Sequence, residues 1–197
     1  MQSLPTRRTN AERRQETRAA LIAAARALFI TRGYAETGTP DIVAAANVTR
    51  GALYHHFADK AALMRAVVEG ELAAVAEAIR QASPEGLSLQ QVFRCGAKAY
   101  LDAMAEPGRA RLLLLEGPAV LGMQEMACLD KEQGEATLRE AIAAIPGITG
   151  LPEDERHALA AMLGAAFERA ALAIAGGAER DAYLDALERL YCGLCKP

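Results

Sequence analysis

Arg50, Tyr54, His55 and Lys60 stand close together in the chain, with Thr39 upstream and Gly51 among them. Lysine and arginine neutralise phosphates and release their counterions, while tyrosine and threonine hydroxyls donate to phosphate oxygens. An arginine fork matches O6 and N7 of guanine, which makes Arg50 the residue fitted to a base edge. Gly51 lets a helix backbone come close to a partner. Each residue alone reads as ordinary solvated surface. Together they read as a surface for nucleic acid. Adjacent His55 and His56 point about 100° apart on a helix, a poor geometry for sharing a metal.

Two short helices must position these side chains. Thr39 followed by Pro40 predicts a helix start, with the hydroxyl at the N-cap and proline at the first helical position. Ile42, Val43, Ala45 and Ala46 supply its packing side. Asn47-Val48-Thr49 breaks it, and Thr49 caps a second helix over residues 50–57. Leu53 and Phe57 share one apolar face of that helix; Arg50, Gly51, Tyr54 and His55 take the other, with Lys60 just beyond. Two helices about a tight turn, the second with a basic and polar outer face, make a helix-turn-helix.

The run G-Y-x-x-T from Gly33, then T-P-D-I-V-A-A-A-N-V-T-R-G-A-L-Y-H-H-F-A-D-K-A-A-L, resembles the N-terminal DNA-binding domain of TetR-family transcriptional regulators. The resemblance covers roughly residues 9–67, about a third of the chain. Its most specific part is L-Y-x-H-F-x-x-K in register with the upstream turn. Asn47 stands where glycine is usual, and asparagine also takes the left-handed conformation such a turn needs. Gly38 stands where serine or threonine is frequent, which removes one hydroxyl from phosphate contact. By position, the resemblance implies DNA contact from Thr39, Arg50, Gly51, Tyr54, His55 and Lys60. It further implies a homodimer, most simply a repressor, released from a palindromic double-stranded operator by a small-molecule effector. The effector would move the fourth helix and alter the separation of the two recognition helices. No cofactor and no metal is implied.

Composition agrees with an all-α fold. Hydrophobic residues make up 52% of the chain and aromatics only 5%, so alanine carries much of the apolar content and favours helix. Charge is divided: residues 1–65 hold ten Lys and Arg against five Asp and Glu, and the remainder twelve against twenty, for a net of -3. The basic part suits a polyanion, and the acidic part would be repelled by it. No apolar stretch of about 18 residues is expected, hence no membrane span, and the N-terminal arginines lack the apolar core of a signal peptide. A cytoplasmic location follows as the expectation.

About nine helices are expected. The first runs from Asn10 to Arg32 behind a Thr9/Glu12 capping box, and Gly33 ends it. After the helix-turn-helix, Asp59 caps a fourth helix to about Ala82, and Ser88 opens another to about Ala105. A short helix lies between Pro107-Gly108 and Gly117-Pro118, a longer one runs from Pro118 to Ile145, and the last two span 152–175 and 179–195. The expected domains are residues 1–58, binding DNA with a basic N-terminal arm, and residues 59–197, binding effector and dimerising.

Phe93, Tyr100, Met104, Val120, Met123, Cys128 and Phe167 fall where the larger bundle could open around a mostly apolar ligand, with Cys95, Met126 and Glu116 nearby. A filled core explains each of them equally well. Leu159, Met162, Leu163, Ala166 and Ala170, then Leu184, Leu187 and Tyr191, recur at three- and four-residue steps. They are read as a four-helix bundle across a two-fold axis, against the plainer reading of a monomer core. Arg7, Arg8, Arg13, Arg14 and Arg18 fit a solvated tail and a DNA-embracing arm equally well. Cys192 and Cys195 form C-x-x-C, but no second pair stands at zinc-ligand spacing, so packing outweighs redox sensing. Ser3, Ser83 and Ser88 lie in expected tails or loops, and no phosphate-binding glycine loop is present. Alternatives kept open are an activator, a ligand-independent regulator controlled by a protein or by redox, and an α-helical enzyme or carrier.

Overall fold

The computed structural model describes residues 9–82, 86–133, 148 and 150–194, with only the backbone for 131–133. The described residues are helical, without a strand. In chain order the helices are α1 (Asn10–Arg32), α2 (Thr39–Ala45), α3 (Arg50–His56), α4 (Lys60–Gln81) and α5 (Leu89–Met104). Then come α6 (Arg109–Arg111), a π-helical turn (Leu112–Glu116), α7 (Gly117–Leu121), α8 (Met123–Gln133), α9 (Glu153–Ala175) and α10 (Arg180–Leu194). Two compact units divide the chain, Met1–Val67 and Val68–Pro197, so α4 contributes to both.

In the first unit, local chemistry sets each helix end. Thr9 and Glu12 form the capping box of α1: Glu12 N–H donates to Thr9 Oγ1 (3.2 Å) and Thr9 N–H to Glu12 Oε2 (2.7 Å). Gly33 closes the helix at φ 86°. One expectation shifts by a residue: α2 is capped at Gly38, not at Thr39. Glycine has no side chain to cap the first turn; the Asp41 carboxylate accepts from Gly38 N–H at 3.1 Å, the reciprocal half of a capping box. Asn47 takes the left-handed turn at φ 53°. Thr49 Oγ1 accepts from Ala52 N–H (3.2 Å) to start α3, and Asp59 Oδ1 from Ala62 N–H (2.7 Å) to start α4. Leu21, Ala25 and Phe29 of α1, Ile42 of α2, Leu53 of α3, and Leu63 and Met64 of α4 are fully buried.

The second unit is built around Phe93, Ala97 and Leu101 of α5, Leu163, Phe167 and Ala170 of α9, and Leu184, Leu187 and Tyr191 of α10. A buried ion pair ties α4 to α6: Arg109 Nε donates to Glu71 Oε2 at 2.6 Å, and Arg109 also reaches the Ala103 carbonyl at 2.7 Å. The middle of the chain differs from expectation. Gly117-Pro118 does not break the helix, because the π-turn absorbs it: Gly117 N–H donates to the Leu112 carbonyl. A Cβ on Gly117 would lie 2.8 Å from that oxygen and 3.0 Å from Met126 Sδ, so only glycine fits this approach. The break falls at Gly122, at φ 87°, and α8 begins in a new phase. Residues 134–145 of the expected long helix, and Cys195, lie outside the described residues.

A second correction concerns α9. Its alanine-rich sequence contains an 18-residue window of mean hydropathy 1.6, long and apolar enough by composition to cross a membrane, although no such stretch was expected. Only 22% of that window is buried within the chain.

Candidate nucleic-acid interface

The interface builds from the back of α3 outward. Leu53 and Phe57 anchor the helix in the core of the first unit, and this turns Arg50, Gly51, Tyr54 and His55 to solvent. Arg50 and Tyr54 are one turn apart, with the guanidinium carbon 5.5 Å from the tyrosine ring centroid. Side-chain hydrogen bonds from Thr39 and then from Arg50 hold the Tyr54 phenol below its usual pKa. Thr39, Arg50 and Tyr54 therefore stand together as one polar group on an exposed surface. Next to them Gly51 is open: a Cβ there would meet nothing nearer than Thr49 Oγ1 at 3.9 Å.

Lys60 stands apart from that group. Its Nζ donates to the carbonyls of Tyr34 (2.9 Å) and Thr37 (3.0 Å) and lies 4.0 Å from the Tyr34 ring centroid. Two of its three N–H donors thus hold the loop between α1 and α2. No local pattern signals this contact, since the two carbonyls come from residues 26 and 23 positions upstream.

The other flank of α3 carries His56, half-buried, beside α1. Burial, then the positive charges of His55, Arg14 and Arg18, keep the His56 imidazole below its usual pKa. Arg18 lies over the Phe57 ring, 5.4 Å from its centroid. Arg13, Arg14 and Arg18 therefore belong to helix α1 and not to a loose tail; Arg7 and Arg8 lie outside the described residues.

The residues expected at a ligand site divide. Phe93, Met104 and Phe167 are buried. Phe167 meets Tyr100 edge-on at 5.3 Å and Phe93 at 5.9 Å, and Phe93 stacks on Tyr191 at 4.0 Å. Burial, then Glu168 and Asp130, push the Tyr100 phenol above its usual pKa. Val120 is half-buried. Met123 and Cys128 are a correction: Met123 is 74% exposed and Cys128 is exposed, on the helix that begins after the break at Gly122.

The expected dimer residues divide too. Leu163, Ala170, Leu184, Leu187 and Tyr191 are buried within the single chain, in its own core. Leu159 and Ala166 are half-buried, while Met162 is 72% exposed. The outward stripes are Ala158, Ala161, Met162 and Ala165 on α9, and Ala182, Ala186, Leu190 and Gly193 on α10. Among the described residues no group of three His, Cys, Asp or Glu could hold a metal.

Residues 21–67 match the model of bacterial regulatory proteins of the tetR family, and residues 90–194 that of the tetracyclin repressor-like C-terminal domain. The chain belongs to the TetR family. A TetR-family transcriptional regulator of known structure from Pectobacterium atrosepticum is 35% identical, with 95% of each chain covered and a TM-score of 0.67. The HTH-type transcriptional regulator CymR of Pseudomonas putida is 39% identical over 102 residues, 50% of either chain. The HTH-type transcriptional activator FasR of Mycolicibacterium smegmatis is 31% identical over 121 residues, 61% of this chain and 55% of FasR. The chain thus spans about half the length of the curated relatives it matches.

The clamp generates a prediction for this TetR-family chain. Lys60→Met should destabilise the first unit by about 1–3 kcal/mol, since it leaves the Tyr34 and Thr37 carbonyls without their charged donor. Thermal unfolding of the variant measures this. A melting temperature equal to that of the wild type would mean that the clamp contributes nothing.

Proposed function

We propose that the protein is a sequence-specific DNA-binding transcriptional regulator, a cytoplasmic homodimer that represses from a palindromic operator and is released by a small, mostly apolar ligand. The polar group Thr39–Tyr54–Arg50, held on the exposed face of a helix-turn-helix, carries the reading. Residues 1–58 would bind DNA, and residues 59–197 would bind the effector and dimerise. In this reading Thr39 and Tyr54 donate to phosphate, Arg50 reads a base edge, and Gly51 admits the backbone to the groove. His55 adds a further donor on the same face. Lys60 holds the loop in place, with one N–H left for a phosphate.

The outward stripes of α9 and α10 support dimerisation. They are apolar: Met162 and Leu190 offer area to bury, and the alanines and glycine around them let helices from two chains approach closely. A two-fold dimer reads two half-sites, and it loses its operator when their recognition helices no longer match the groove repeat. The effector reading rests on the aromatic cluster of the second unit. Phe93, Tyr100, Phe167 and Tyr191 pack ring on ring, so a ligand must part them, and it favours the state in which they are parted. A second reading is activation, favoured by the relative named an activator; a reporter gene behind the operator separates the two by the sign of its response.

Arg50→Ala should relax the preference at one base pair of each half-site and cost about 1–3 kcal/mol of operator binding. Gel shifts with operator and single-base variants measure it, and an unchanged preference would remove Arg50 from the base edge. For assembly, Met162→Asp together with Leu190→Asp should yield a folded monomer in sedimentation. Leu187→Ala should instead remain a dimer and lose about 2–5 kcal/mol of stability, as a core truncation does. A monomeric wild type would end the dimer reading. For the effector, a screen of apolar and aromatic compounds should find one that raises the melting temperature and displaces the operator. If compounds stabilise the chain without releasing DNA, control through this cluster is wrong.

A further inference from the structure

The inner face of α1 changes character along its length. Arg14, Arg18, Leu21, Ala25 and Phe29 follow one another at three- and four-residue steps and share one face. Leu21, Ala25 and Phe29 are fully buried, while Arg14 and Arg18 continue the same stripe as exposed cations. The acidic residues of this stretch, Glu12 and Glu16, stand roughly 160° round the helix from Arg14. The face that meets α3 is therefore cationic alone. It runs into α3 without interruption: Arg18 lies over Phe57 at 5.4 Å, His56 is 6.4 Å from Phe57, and His55 is 5.5 Å from His56, centroid to centroid for the rings.

On α3 this row occupies one flank. Tyr54 and His56 are two residues apart and so stand about 200° round the helix from each other. Thr39 meets α3 on the Tyr54 flank, and Arg14 and Arg18 meet it on the His56 flank, with Gly51 and His55 exposed between them. A helix lying in the major groove has a phosphate backbone on each side, across a groove about 12 Å wide. We propose that Arg14 and Arg18 bind backbone phosphates on the wall of the groove opposite the one met by Thr39 and Tyr54. The recognition helix is then held from both sides. This assignment rests on the proposed DNA-binding function. It makes the first turns of α1 part of the DNA surface through its arginine side chains.

The test compares wild type with Arg14→Gln/Arg18→Gln on operator and non-operator duplexes over a salt series. The dependence of binding on salt should weaken by about 1.8 log units per log unit of salt for each protomer, equally for both duplexes, with base preference unchanged. Methylphosphonates placed on one strand of each half-site should weaken the wild type and leave the variant unaffected. Arg18 also packs on Phe57, so Arg14→Gln alone serves if the double variant melts early; its expected change is about 0.9. Arg18→Lys should keep most of the salt dependence. Operator binding by wild type with an unchanged salt slope in a folded variant overturns this assignment alone. Wild type that binds no DNA overturns the proposed function and this assignment with it.

Discussion

Burial of Leu53 and Phe57 holds the recognition helix in place. α3 has seven residues, far below the length at which a helix is stable in water by itself. Its sequence cannot fix it, so its partners must. Leu53 is fully buried and Phe57 is 5% exposed, and each contributes about 1.5–3 kcal/mol of apolar burial. With that face anchored against α1 and α2, the helical period leaves Arg50, Gly51, Tyr54 and His55 on the outside. The Asn47 turn sets the angle between α2 and α3, and the Lys60 clamp fixes the loop that leads into α2. Every donor of the surface inherits its position from these few contacts.

Local chemistry explains why this part was legible in the sequence. A threonine cap, an asparagine turn and a four-residue apolar step are each decided within a few residues, and the structure keeps all three. The cap of α2 falls one position before the Thr39-Pro40 pair suggests, because glycine offers no side chain as a signal; the Asp41 carboxylate that accepts from Gly38 N–H marks it instead. The role of Lys60 was not legible at all. It depends on two carbonyls brought together by the fold, and no spacing in the sequence announces that. By composition Arg14 and Arg18 suit a tail or an arm; their register with Leu21, Ala25 and Phe29 places them on the inner stripe of a helix.

In the second unit, alanine blurs the pattern. α9 and α10 are apolar on more than one face, so a three- and four-residue period fits either the core or a contact with another chain. Burial separates the two: Leu163, Phe167, Ala170, Leu184, Leu187 and Tyr191 fill the interior, while Met162, Leu190 and several alanines lie outside among charged residues. The same blur hid the membrane-length apolar window of α9. Around Gly117-Pro118 a different cause operates: a π-turn carries the helix past a proline, and the break moves to Gly122. Met123 and Cys128 lie beyond that break and are exposed.

Hydrogen–deuterium exchange, with and without operator DNA, tests the central claim most directly. If the exposed face of α3 and its two flanks form the DNA surface, operator should slow exchange in peptides covering residues 10–20 and 37–57. Protection confined to residues 89–194, or none in a sample shown to bind operator, would contradict it.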